Sequence, residues 1–161
     1  RCAAVNIPDS GVLVIGGIGK NRLPLGSTEL LTGWSGKGGD GGGVKWQWLP
    51  FPPMNKDHGD DPLAVYFQGK VYVVACGENV SMMEMLDVEA GGQWTYLTSF
   101  GLRQGLRIYS MARVGNKLFV KDCNPAYAYS IILDGDPKRR FTLWKKRKYF
   151  CVWKFMTVHI K

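Results

Sequence analysis

This chain of 161 residues has little histidine, few cysteines and no long apolar run, and each shortage removes a class of function. Two histidines, His58 and His159, are too few for a His-rich metal centre, and they do not lie at zinc spacing. The four cysteines, Cys2, Cys76, Cys123 and Cys151, form no C-x-x-C, so neither a zinc site nor a dithiol redox motif is encoded. A reduced, cytoplasmic protein is the expectation. No apolar stretch approaches the roughly 18 residues that a membrane helix needs, and no secretory leader is recognisable. No serine has the G-x-S-x-G setting of a nucleophile elbow. Catalysis is therefore not expected, and no cofactor is implied.

Acidic residues are missing from one whole segment. Residues 138–161 hold nine Lys and Arg and no Asp or Glu, which leaves twelve basic against all thirteen acidic residues in 1–137. The formal charge of +8 thus belongs to the last 24 residues, whereas a general nucleic-acid binder carries its charge on a face of the fold. That segment, KRRFTLWKKRKYFCVWKFMTVHIK, interleaves basic and aromatic residues, as phosphate-and-stacking or anionic-membrane contacts would require. Its beginning reads better as a strand, and residues 144–161 are expected to form a solvated or disordered tail. Nucleic acid and membrane are set aside as partners.

The motif VLVIGGIGKN, Val12 to Asn21, resembles the start of a phosphate loop but lacks the rest of one. Gly17 and Gly19 supply half of G-x-G-x-x-G, and Arg22 stands at the third glycine. Pro24 and Gly26 then oppose the helix whose N-terminus would hold phosphate. The P-loop form fails as well, because Asn21 replaces the required Ser or Thr after Lys20.

What the chain does have is repetition. GVLVIGG (Gly11–Gly17), KVYVVACG (Lys70–Gly77) and NKLFVKDC (Asn116–Cys123) align as three apolar strands, each preceded by a turn. Strand one of each copy is expected at Arg1–Val5, Leu63–Phe67 and Ile108–Val114, with the aligned runs as strand two. Strand three falls near Glu29–Leu31 (in TELL), Met83–Val88 (in MEMLDV) and Tyr127–Leu133. Strand four carries an aromatic marker at Trp46–Leu49, Trp94–Leu97 and Phe141–Leu143. The second interval, Val71 to Leu118, is 47 residues, which suits a four-stranded propeller blade. The first is longer because Gly33–Gly43, with seven glycines in eleven residues, reads as a flexible loop. KDHGDD, between Pro53 and Pro62, reads as a solvated acidic linker between blades.

At these residues the chain resembles the kelch repeat family, whose pattern is a strand ending in a double glycine, a short strand and then a tryptophan. The likeness covers roughly residues 1–135 and departs at Ala75-Cys76 and Asp122-Cys123, where glycines stand in the pattern. It implies an all-β fold, a partial kelch-type β-propeller of about three four-stranded antiparallel blades at about 1–50, 60–98 and 107–143. Three blades do not close a ring of four to eight, so the chain is expected to be part of a larger protein, a truncated product, or self-associating.

The function the resemblance implies is a protein–protein interaction module. One form is the substrate-recognition part of a cullin-type ubiquitin ligase adaptor, and another is an actin-binding or scaffold protein; a kelch-type oxidase ranks last. The implied partner is a protein or peptide on one loop face. Cullin ligase components would engage through BTB and BACK domains, which are not visible here. Mapped onto this sequence, the loops after strand two and before strand one offer Arg1, Asn21, Arg22, Asp60, Glu78, Asn79, Arg103, Arg107 and Asn124 for binding. Gly16, Gly17, Trp46, Trp94 and Phe141 are the expected structural repeat positions.

Overall fold

A computed structural model describes residues 1–34, 44–78, 80–97, 106–115, 117–122, 127–132 and 144–148. The fold is all-β. The strands are β1 (Ala3–Ile7), β2 (Gly11–Ile15), β3 (Thr28–Trp34), β4 (Lys45–Phe51), β5 (Pro62–Phe67), β6 (Lys70–Ala75), β7 (Glu84–Asp87), β8 (Trp94–Tyr96), β9 (Ile108–Val114), β10 (Lys117–Asp122), β11 (Tyr127–Ile132) and β12 (Trp144–Lys148). They form three antiparallel sheets of four strands, β1–β4, β5–β8 and β9–β12, each a meander in chain order and each blade-like. Tight turns make the hairpins. Gln68 and Gly69 both have positive φ, 47° and 73°, as the two central residues of a type I′ turn require.

The sheets stack face to face, with β1 beside β5 and β5 beside β9. The middle sheet is covered on both sides, and its residues divide by strict alternation. Val71, Val73, Leu86 and Trp94 pack with Ala3, Val5, Ile7, Leu13 and Ile15 of the first sheet. Val65, Phe67, Tyr72 and Val74 pack with Ile108, Met111, Leu118 and Val120 of the third. This is why VYVVA, residues 71–75, holds no charged residue: burial on both faces removes the polar half of the alternation. Arg113 adds a cation–π contact, its guanidinium 5.2 Å from the Phe67 ring centre.

The strand registers fix which residues are equivalent from sheet to sheet. In the middle sheet Val71 faces Leu86, which faces Trp94, and Val73 faces Glu84. In the first sheet Val12 faces Leu31, which faces Trp48, and Val14 faces Glu29. In the third, Leu118 faces Ile131, which faces Trp144. The repeated tryptophans are therefore Trp48, Trp94 and Trp144. Trp46, expected in that role, stands opposite Gly33 instead and is 64% exposed, with its ring over the glycine. The expected ranges Trp46–Leu49 and Trp94–Leu97 equate Trp46 with Trp94, but pairing across the strands sets the register. Strand four of the third sheet is Trp144–Lys148, within the segment expected as a solvated tail. Phe141 lies outside the described residues, as do most of the glycine-rich segment and residues 149–161.

Candidate partner-binding face and the junction beneath it

The connection from β2 to β3 leaves the sheet through Gly16 and Gly17, whose φ values are 56° and 103°. A Cβ on Gly17 would lie 1.8 Å from the Arg1 carbonyl oxygen, so only glycine permits this approach of two backbones. The connection then folds on itself. Gly16 N–H donates to Ser27 O (3.0 Å), Leu25 N–H to Gly17 O (2.8 Å) and Gly19 N–H to Leu23 O (2.9 Å). Arg22 takes a positive φ of 61° at the tip, and Asn21 Oδ1 accepts the Leu23 N–H at 3.1 Å. Ile18, Leu23 and Leu25 are left 36%, 60% and 38% exposed, beside the exposed side chains of Lys20 and Arg22. Ile18 N–H donates to Arg1 O (3.2 Å), which joins this loop to the start of β1. The result is a fixed apolar tip with three cations, Arg1, Lys20 and Arg22, beside it.

The residues leading into strand one lie at this same end of the sheets, because Gly77 N–H donates to Ile108 O and Ile108 N–H to Glu78 O. Arg1 and Arg107 hold the same strand position and are both exposed. The match survives a difference in turn length. The β9–β10 turn is one residue shorter than the β1–β2 turn, and a bulge at Tyr109, between the pairs Ser110–Lys121 and Ile108–Asp122, restores the count. Asp61 is the corresponding residue of the middle sheet, with exposed Asp60 beside it. Asn79, Arg103 and Asn124 lie outside the described residues.

Glu78, one of the expected loop residues, has its carboxylate engaged by other parts of the fold. Lys56 Nζ pairs with it, His58 Nδ1 lies 3.2 Å from it, and the Ala75 N–H donates to it at 3.2 Å. Burial pulls its pKa upward, but the hydrogen bonds from Lys56, Ala75 and His58 outweigh burial and hold it below the ordinary carboxylate value. The same contact raises the Lys56 pKa.

The linker after β4 is likewise docked, and not a solvated acidic loop. Its anchor is Glu84 on β7, which is fully buried. Glu84 accepts hydrogen bonds from Asn55 N–H (2.9 Å), Asn55 Nδ2 (2.7 Å) and Lys56 N–H (3.0 Å). His58, 1% exposed, sits between the two glutamates, with Nε2 3.3 Å from Glu84 Oε1 at ion-pair distance but without hydrogen-bond alignment. Asn55 Nδ2 also donates to Trp94 O (2.7 Å), and Trp94 Nε1 to Pro52 O (2.8 Å). The hydrogen bonds of Asn55, of the Lys56 N–H and of the Trp94 indole tie the linker of the first sheet to the middle sheet. Cys76 is half-buried with its thiol toward Tyr109 O. Among the described residues, no group of three His, Cys, Asp or Glu side chains lies close enough together to hold a metal ion.

No protein-family model matches the chain, and no curated protein is significantly similar to it. Sequence reasoning had missed His58, Glu84 and Asn55 as a unit. The available signal was the alignment of TELL with MEML, which puts Glu29 and Glu84 at one repeat position inside otherwise apolar strands.

Proposed function

We propose that the chain is a protein-interaction module, a partial kelch-type propeller that binds an acidic peptide segment at the end where strand two exits and strand one begins. The observation that carries this reading is the β2–β3 tip, where Ile18, Leu23 and Leu25 are exposed on a hydrogen-bonded loop beside Arg1, Lys20 and Arg22. An apolar anchor with flanking guanidinium groups suits a peptide that combines a hydrophobic side chain with carboxylates. Such a loop is rigid before binding, so little ordering entropy is lost when a partner arrives. The kelch assignment draws on the double glycine and on the stack of three meander sheets. The more specific role, as the substrate-recognition part of a cullin-type ligase adaptor, draws on the family resemblance alone.

The test is fluorescence anisotropy with a library of acidic peptides carrying one large apolar residue. A specific binder is expected, and Arg22→Glu or Leu23→Asp should weaken it by about tenfold or more, as loss of a hot-spot contact does. Affinity that is indifferent to both substitutions would remove this loop as the binding site.

A further inference from the structure

Each sheet ends, in chain order, at an edge strand, and two of these three edges are blunted. β8 is only three residues long, and the Trp94 carbonyl on its edge already accepts Asn55 Nδ2 at 2.7 Å. β12 is WKKRK, the Lys-rich composition that discourages edge pairing. β4 has neither protection. It runs for seven residues, KWQWLPF, with one charge at its start, and its first six residues are exposed on both faces. Trp46 and Trp48 are the most exposed tryptophans of the described residues. Register shows which backbone groups of β4 are free. Gly16 N–H donates to Ser27 O, and the β2–β3 ladder continues from that pair. Bonded and non-bonded pairs alternate along an antiparallel ladder. Ser27, Glu29 and Leu31 therefore bond to β2, and Thr28, Leu30 and Thr32 bond to Phe51, Leu49 and Gln47 of β4. The N–H and C=O groups of Trp46 and Trp48 point away from the sheet, and no group among the described residues meets them. Pro50 fits this parity, since at an outward position its missing N–H costs no bond to β3.

We infer that β4 pairs edge to edge with β4 of a second copy of this chain, antiparallel about a two-fold axis at Gln47. The strand matches itself in that register. Trp46 of each copy stands opposite Trp48 of the other, and each such pair exchanges two backbone hydrogen bonds, four in all. An axis at Trp48 is poorer, because it sets Trp46 opposite Pro50 and leaves the Trp46 carbonyl without a donor. With the axis at Gln47 all four tryptophans fall on one face of the joined sheet, as cross-strand aromatic pairs. Lys45, the only charge of the strand, stands opposite Leu49, so like charges do not oppose each other. A two-fold contact uses one patch twice, and this self-match is what selects a second copy over an extended segment of an unrelated protein. The contact lies on the outer edge of the first sheet. It leaves the faces of the sheets unused, and it is independent of the peptide proposed for the loop tip.

The experiment uses the full chain. Gln47→Cys sets two thiols across the axis at a non-bonded pair, with Cα atoms about 4.5 Å apart, within disulfide range. Mild oxidation should convert most of this variant to a covalent dimer, and peptide mapping should find the link at position 47. The parent chain, with its own cysteines, sets the background. Lys45→Cys is the control for register, because its thiols would be offset by about 14 Å along the strands; it should give about tenfold less cross-link or lower. Sedimentation of the parent should show a dimer. Trp48→Lys adds an edge charge at a residue that is already 54% exposed, and it should weaken the dimer by about tenfold or more. A monomeric parent with no link at position 47 overturns the inference, and is the result that an unrelated partner strand would give. Equal cross-linking of the two cysteine variants overturns the register, and a dimer indifferent to Trp48→Lys overturns β4 as the contact.

Discussion

Glu84→Ala is the sharpest test of how this fold is held, because the same sequence carries its own control. The substitution strips the acceptor from three hydrogen bonds of 2.7–3.0 Å at a fully buried carboxylate. The Asn55 and Lys56 N–H groups would be left without an acceptor, and His58, flanked by Glu78 and Glu84, would lose one of its two carboxylate neighbours. Hydrogen bonds to a charged group contribute about 1.5–3 kcal/mol each. They are not additive here, since the linker moves as a unit, and removing one partner of a buried charged cluster costs about 3–5 kcal/mol. We expect a loss in that range, a large part of the ~5–15 kcal/mol that stabilises an ordinary domain. Glu29→Ala, at the same register but exposed, should change stability by less than about 0.5 kcal/mol. Urea unfolding followed by tryptophan fluorescence reads both, and Trp94, whose indole donates to Pro52 O, reports on the junction itself. Equal losses for the two variants, or a loss below about 1 kcal/mol for Glu84→Ala, would refute the claim that Glu84 anchors the linker.

Two other outcomes are expected. Burial raises the Tyr72 pKa from 10.0 to about 12, with the Asp87 charge a smaller contributor, so the fold favours the neutral phenol. That stability is fully present below pH 10 and is lost as pH rises toward 12, by about 2–3 kcal/mol in all. Unfolding measured across this window should show the loss in the parent and a shallower slope in Tyr72→Phe. Gly17→Ala should destabilise by about 3 kcal/mol or more, because it combines a strained φ of 103° with a Cβ 1.8 Å from the Arg1 carbonyl oxygen. A thermal midpoint unchanged from the parent would show that the two strands separate there at little cost.

The all-β class and eleven of the strands were legible in the sequence because the signal was local: apolar runs bounded by turns, repeated at similar spacing. What failed depended on pairing between strands. Trp46 and Trp48 differ by two residues and point to the same face, so alternation alone could not choose between them. A repeat with an aromatic at Phe141 assumes equal spacing, but the loops between strands vary in length; the aromatic that faces Ile131 is Trp144. The linker was misread for a related reason. Asp57, Asp60 and Asp61 make KDHGDD look solvated, and Asp57 and Asp60 are indeed exposed, yet His58 between them is buried against carboxylates 20 and 26 residues further along the chain. Composition reports the average of a segment, and here a single residue turns inward. The place of Glu78 in a loop after strand two likewise said nothing of Lys56 and His58 reaching it from the linker.

The junction also connects stability to the proposed binding face. Apolar sheet faces attract one another without fixing how far one slides along the other. A carboxylate that must meet two successive backbone N–H groups tolerates no such slip, so Glu84 sets the register of the linker against the middle sheet. His58 and Lys56 add a second point of attachment at Glu78, which stands in the loop after β6. That loop in turn hydrogen-bonds Ile108, the residue after Arg107. Asp60 follows His58 by two residues, so the buried histidine fixes where it stands at the proposed face. Substitutions at Glu84 or His58 should therefore disturb how Asp60 and Arg107 are presented although neither Glu84 nor His58 lies on the exposed surface.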